Sequence, residues 1–161
     1  MRIGIHAVGR MKQGPERELV ARYLERATGT GKPLGLTGFD TTELTESRAG
    51  SSATRKAEEA RTLRAGIDSA AIVIALDERG KSIASEAFAR LIARWRDDGK
   101  VAAPFVIGGA DGLDPAFVAA ADLTLSFSPL TWPHQLVRIM LAEQLYRATT
   151  ILSGHPYHRG D

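Results

Sequence analysis

Apolar and polar positions first alternate at Ile3, Ile5 and the Ala7-Val8 pair, a two-residue period that predicts a strand ending at Gly9. Pro15 suits the first turn of a helix, where its missing N–H costs little, and Leu19, Val20, Tyr23 and Leu24 continue at helical spacing to Ala27. Four glycines between Gly29 and Gly38 surround Leu34 and Leu36, with Phe39 following, and a second strand is expected there. The polar stretch from Asp40 to Ser52 reads as a long mobile loop. Thr54 to Leu63 predicts a charged helix with Ala57, Ala60 and Leu63 on its inner stripe.

The second half has stronger signals. Ala70 to Leu76 (AAIVIAL) is a continuous apolar run, as expected of a parallel strand covered on both faces. Ser82 is placed to cap a helix to Asp98, stopped by Gly99, with Phe88, Leu91, Ile92 and Trp95 on its apolar face. Pro104 to Ile107 predicts a short strand. Asp114-Pro115 is an N-cap followed by proline at the first helical position, opening a helix to Ala121. Leu123 to Phe127 alternates as a last strand, Pro133 opens a long helix to Ile151, and Ser153 to Asp161 is a short polar tail. Strands alternating with helices imply an α/β fold, a mostly parallel sheet flanked by helices, in one domain over residues 1–161.

Composition narrows the chemistry. There is no cysteine, which excludes disulfides and thiolate metal sites, and the four histidines show no metal-ligand spacing, so no metal is expected. No apolar run reaches the ~18 residues of a membrane span, and the start Met1-Arg2-Ile3-Gly4-Ile5-His6 lacks an uninterrupted signal-peptide core, so the expectation is a cytoplasmic protein with no membrane partner. The formal net charge is +2, but the first 66 residues hold twelve Lys/Arg against eight Asp/Glu. That excess is compatible with a phosphate-rich partner and equally with a solvated surface.

In open α/β sheets, ligands bind beyond the C-terminal strand ends. Three such ends stand out. Leu76-Asp77-Glu78-Arg79-Gly80-Lys81 follows the most apolar strand. Ile107-Gly108-Gly109-Ala110-Asp111-Gly112 is a G-G-x-x-G turn, in which Gly108 and Gly109 would let backbone approach a ligand. Phe127-Ser128-Pro129-Leu130-Thr131-Trp132-Pro133 carries no charge. The first βα turn, Gly9-Arg10-Met11-Lys12, is not a dinucleotide fingerprint, which argues against a nicotinamide enzyme. An uncharged loop stiffened by two prolines suits a ligand without phosphate; a rigid surface loop is the plainer alternative.

The last helix is apolar nearly all round, through Leu136, Val137, Ile139, Met140, Leu141, Leu145 and Tyr146. Such a helix needs cover on several sides, either a second subunit or its own core. Glu143 and Arg147 stand four apart and are expected to pair. Arg138 has no partner on its helical face, which makes it a functional candidate, with a buried dimer salt bridge as the alternative. The tail His155-Pro156-Tyr157-His158-Arg159 groups rings that can stack on bases with an arginine that can hold phosphate; a tail packed on its own subunit is the other reading.

The segments IGGADG (107–112), LSFSPLTWPHQLVRIMLAEQLYRA (125–148) and HPYHR (155–159), in that order, resemble the bacterial large-subunit ribosomal RNA pseudouridine N3-methyltransferases of the SPOUT class. The resemblance spans the chain, strongest from Leu76 to Arg159. It implies a C-terminal trefoil knot, a homodimer through the last helix, and S-adenosylmethionine held by Leu76, the paired glycines Gly108 and Gly109, and the loop Phe127, Ser128, Pro129, Leu130, Thr131 and Trp132. It also implies methylation of N3 of a pseudouridine in the helix 69 hairpin of 23S ribosomal RNA on assembled ribosomes, with RNA contacts from His155, Tyr157, His158 and Arg159. The family usually has Glu where this chain has Asp111. Direct, in-line transfer from sulfur to nitrogen is the expected chemistry, with Arg138 as the candidate for charge stabilisation and His134 or a tail histidine for proton handling. The competing readings are the same fold acting on another RNA, such as transfer RNA, or a non-catalytic ribosome- or RNA-binding module.

Overall fold

Residues 1–158 are described by the computed structural model. Ile3, Ile5 and Ala7 lie in strand β1 (Arg2–Val8), which is followed by helix α1 (Pro15–Gly31) and strand β2 (Thr37–Leu44). Then come α2 (Ser52–Ala65), β3 (Ile74–Lys81), α3 (Ser85–Asp97), β4 (Ala102–Ile107), α4 (Pro115–Ala119), β5 (Leu123–Leu125) and α5 (His134–Ser153). The five strands form one sheet in the order β2-β1-β4-β3-β5, every pairing parallel.

Both faces of the sheet are covered, which is why its central strands are apolar at consecutive positions. Ile74, Leu76, Phe105 and Ile107 point to the layer of α1, α3 and α5, where Leu24, Ile92, Leu141 and Leu145 meet them. Ala75, Val106 and Val8 point the other way, to Ala60 and Leu63 of α2 and Phe117 of α4. Asp114 caps α4 as expected, its side chain accepting from the N–H groups of Ala116 and Phe117 at 2.9 and 3.0 Å.

Several boundaries differ from the sequence reading. Helix α1 continues to Gly31, and the residues around Leu34 form a 3-10 turn, Lys32–Leu34, instead of a strand. The second strand is the polar segment Thr37–Leu44, largely inside what reads as a loop. It is an edge strand, so polar residues suit its free side. Its alternation is broken by a bulge opposite Ile3/Gly4, where Gly38 and Phe39 take φ of 87° and 49°. Strand β3 starts at Ile74, not Ala70, and runs on through Asp77 to Lys81. The α3 cap position falls on Ala84 rather than Ser82, and it makes no side-chain cap bond. Strand β5 stops at Leu125, leaving Phe127 in the loop that leads to α5.

Candidate active site

The C-terminal ends of β3, β4 and β5 open into a cleft of about 720 Å³, within the usual range for a small-molecule site. One wall is the turn after β4. A Cβ at Gly108 would lie 2.5 Å from the backbone carbon of Gly112 and 2.7 Å from the nitrogen of Leu113, so no other residue fits there without moving the chain. Gly112 has φ of 80° and closes the turn through its N–H, which donates to the Gly109 carbonyl at 3.0 Å. Asp111 is held from outside by Arg55 of α2 through a two-pronged pair of 2.7 and 3.0 Å, which pulls its carboxyl below the usual range.

The opposite wall is the uncharged loop after β5. Ser126 and Ser128 fold it on itself: the Ser126 hydroxyl donates to the Ser128 carbonyl at 2.9 Å, and the Ser128 hydroxyl accepts from the Leu130 N–H at 2.8 Å. Thr131 reaches across to Glu78 of β3 at 3.0 Å. The floor is apolar, from Leu76, Ile107, Leu125 and Val137. Charge enters at Asp77, which the Arg79 guanidinium grips at 2.9 and 3.0 Å, so that its hydrogen bonds hold the carboxyl below its ordinary pKa. At the mouth, Leu130 is 66% exposed and Trp132 39%, two large apolar side chains left to solvent.

Of the residues singled out from the sequence, Leu76, Gly108, Gly109, Phe127, Ser128, Leu130, Thr131, Trp132 and His134 all line this cleft, whereas Pro129 does not. Arg138 does not line it either. Its side chain is fully buried, donating to the carbonyls of Val8 and Gly9 at 2.7 Å each and to Glu43 at 2.9 Å. The arginine without a partner on its own helix has one on β2, and burial lowers its pKa. Within this chain its guanidinium is therefore directed at β1 and β2 rather than at the cleft. Glu78 lies in the strand end that the sequence singles out, whereas Ser126 and Val137 join the cleft without a sequence signal, because each depends on which elements become neighbours.

The tail returns to its own subunit. Tyr157 donates to Glu143 at 3.0 Å and stacks at 4.6 Å, tilted, on Tyr146. His158 bridges Arg147 at 3.2 Å and Glu86 of α3 at 2.7 Å. Glu143 and Arg147 pair as their spacing predicts. His155 is exposed, and Arg159 lies outside the described residues.

A family model described as "Predicted SPOUT methyltransferase" matches residues 1–158. The chain belongs to the SPOUT methyltransferases. Among its SPOUT relatives, proteins named ribosomal RNA large subunit methyltransferase H from Brucella anthropi and Sinorhizobium medicae are each 57% identical over 159 residues, covering 99% of both chains. The protein of that name from Bradyrhizobium diazoefficiens is 55% identical with the same coverage. Solved structures share the fold at low identity. A probable methyltransferase from Bordetella pertussis has a TM-score of 0.51 at 12% identity, covering 91% of this chain and 95% of its own. A probable methylase family protein from Haemophilus influenzae has 0.50 at 14%, covering 99% and 70%. SPOUT methyltransferases use S-adenosylmethionine, and the cleft's residues fit that group: an apolar floor, a glycine turn without side chains, and, among the described residues, only Lys56 and Arg79 as lysine and arginine lining, with Arg79 held by Asp77.

Proposed function

We propose that this protein uses S-adenosylmethionine to methylate N3 of a pseudouridine in the helix 69 hairpin of 23S ribosomal RNA, acting in the cytoplasm on assembled ribosomes. The observation that carries this reading is the pairing of the Gly108 turn with the neutral, self-bonded Ser126–Leu130 loop across one cleft, in a chain whose full-length relatives are named as large-subunit ribosomal RNA methyltransferases.

When bound, the donor supplies an electrophilic methyl on a sulfonium. The chain's residues supply the rest. Leu76, Ile107 and Leu125 exclude water, and the loop fixed by Ser126 and Ser128 offers backbone groups that need no ordering on binding. N3 of the base must lose a proton before or during attack, and His134, which lines the cleft at the start of α5, or a tail histidine is the candidate to handle it. Arg138 acts as a positioning residue, tying α5 to the end of β1. Trp132 at the mouth offers a ring on which a base can stack, with exposed Leu130 as apolar surface beside it.

Two structural expectations belong to the same reading. The trefoil knot follows from membership of the SPOUT family, and Gly80 lets β3 pass close to β5, where a Cβ would lie 2.7 Å from the Leu125 carbonyl carbon. A homodimer through α5 is supported by its half-exposed Ile139 and Met140, which line an apolar groove of about 400 Å³ with Leu19, Tyr23 and Ile83. In such a dimer His155, Tyr157, His158 and Arg159 would contact RNA from one subunit or the other.

The deciding experiment is mass spectrometry of large-subunit RNA from cells with and without the gene. Loss of one methyl on the helix 69 pseudouridine is the expected result. Calorimetry with S-adenosylmethionine separates an enzyme from a module that kept the fold alone, and an unmodified RNA difference with normal donor binding would point to another RNA substrate.

A further inference from the structure

The basic excess of the first 66 residues has a location in the fold. The loops after β1 and β2 lie side by side along the rim of the cleft. Gly9 donates to the Leu44 carbonyl at 2.8 Å, the Met11 N–H donates to Glu43 at 2.8 Å, and Glu46 lies against Gly9. Val8, at the base of the first loop, packs against Gly109 of the cleft wall. The second loop is strapped to α2: the Ser47 N–H donates to Glu59 at 2.9 Å, and Arg55, which holds Asp111, also donates to the Ala49 carbonyl at 2.9 Å. These bonds hold Arg10, Lys12 and Arg48 on loops of defined shape, and all three are exposed.

Several carboxylates of this rim are tied to neighbours: Glu43 pairs with Arg138 and Asp111 with Arg55, while Glu58 and Glu59 keep their charge and accept from Ser47 at the foot of the second loop. Glu46 faces Gly9 and the buried guanidinium of Arg138. Glu16 and Glu18 sit in the first turn of α1, where the helix dipole accommodates them. Among the described residues, Arg10, Lys12 and Arg48 form no ion pair. Lys56 continues the basic line into the cleft itself.

We infer that Arg10, Lys12 and Arg48 form a phosphate-binding rim that holds the RNA backbone beside the methyl-transfer cleft. This rests on the proposed RNA substrate and adds the surface that grips it. The cations act through the phosphodiester charge, so the rim contributes affinity and orientation, whereas the cleft selects the base. The braced backbone of these loops loses little freedom when a phosphate arrives, so the ordering cost falls on the three side chains alone.

The test is methylation of ribosomes over a range of salt with three proteins: wild type, the triple variant R10Q/K12Q/R48Q, and a control, K32Q/R94Q/K100Q. The control removes three exposed cations at the opposite, N-terminal end of the sheet. Donor affinity is measured on each. The rim variant should keep donor affinity, raise KM for ribosomes about tenfold or more, and flatten the slope of log KM against log salt by about 2, at ~0.7 to 0.9 per lost phosphate contact. The control should match wild type. Equal loss in both variants, unchanged KM in the rim variant, or a rim defect confined to donor binding would each overturn the inference while leaving the RNA substrate standing. A wild-type protein that binds donor but methylates no ribosomal RNA would remove the parent reading and the rim with it.

Discussion

Arg138 and Glu43, 95 positions apart in the chain, form a 2.9 Å ion pair in the interior beside the end of β1. The same guanidinium caps the carbonyls of Val8 and Gly9, while Glu43 accepts from the Met11 N–H. One pair therefore joins α5, the loop after β1 and the edge strand β2. Removing one member of a buried pair leaves the other charge uncompensated, at a cost of about 3–5 kcal/mol. R138M should lose about that much in urea unfolding, and E43L/R138M should recover part of it. A single variant as stable as wild type would show the pair to be dispensable.

G108A should abolish donor binding measured by calorimetry, because the added methyl meets the backbone of Gly112 and Leu113 rather than a movable side chain. G50A, where the added carbon meets nothing within 4 Å, serves as the comparison and should bind normally.

W132A should leave the melting temperature nearly unchanged, since the ring is 39% exposed. If it stacks on a base, kcat/KM for ribosomes should fall by about 5- to 150-fold, the range of 1–3 kcal/mol for such contacts. An unchanged kcat/KM would remove Trp132 from the RNA contact.

Asp77 gives the protein an acid-sensitive element. Its folded pKa is depressed by hydrogen bonds from Arg79. The stabilisation is therefore present above the ordinary carboxylate value of about 3.9 and disappears as pH falls through the lower folded value. D77N should show a smaller loss of melting temperature than wild type over that acid range, and identical acid profiles would contradict the assignment.

Tyr157 does the opposite at high pH. Burial, then the hydrogen bond to Glu143, pushes its phenol up. The stabilisation is complete below about pH 10 and is lost as pH rises through the folded value. In a phenolate absorbance titration, a step raised above the ordinary tyrosine range should vanish in Y157F. Loss of an earlier step instead would mean that the tail is not docked on α5.

Much of the site was legible because its signals are local. A glycine pair after an apolar strand, and a loop without charge between two prolines, can be recognised from consecutive residues. Strand β2 was not legible, because an edge strand needs no apolar alternation and the bulge at Gly38-Phe39 breaks what pattern exists. Arg138 was legible as unusual but not as paired, since its partner lies on an element 95 positions away.

By itself, then, the sequence determined the α/β class, the strands β1, β3 and β4 by their apolar runs, the capped start of α4, and the neutral and glycine-rich segments of the cleft. Only the tertiary structure decided that those segments face each other, that Arg138 is tied to the end of β1 and to Glu43, and that the tail rests on Glu143 and Glu86. The physical reason is range: propensity and periodicity act over a few residues, whereas burial and pairing depend on which distant elements the parallel crossovers bring together.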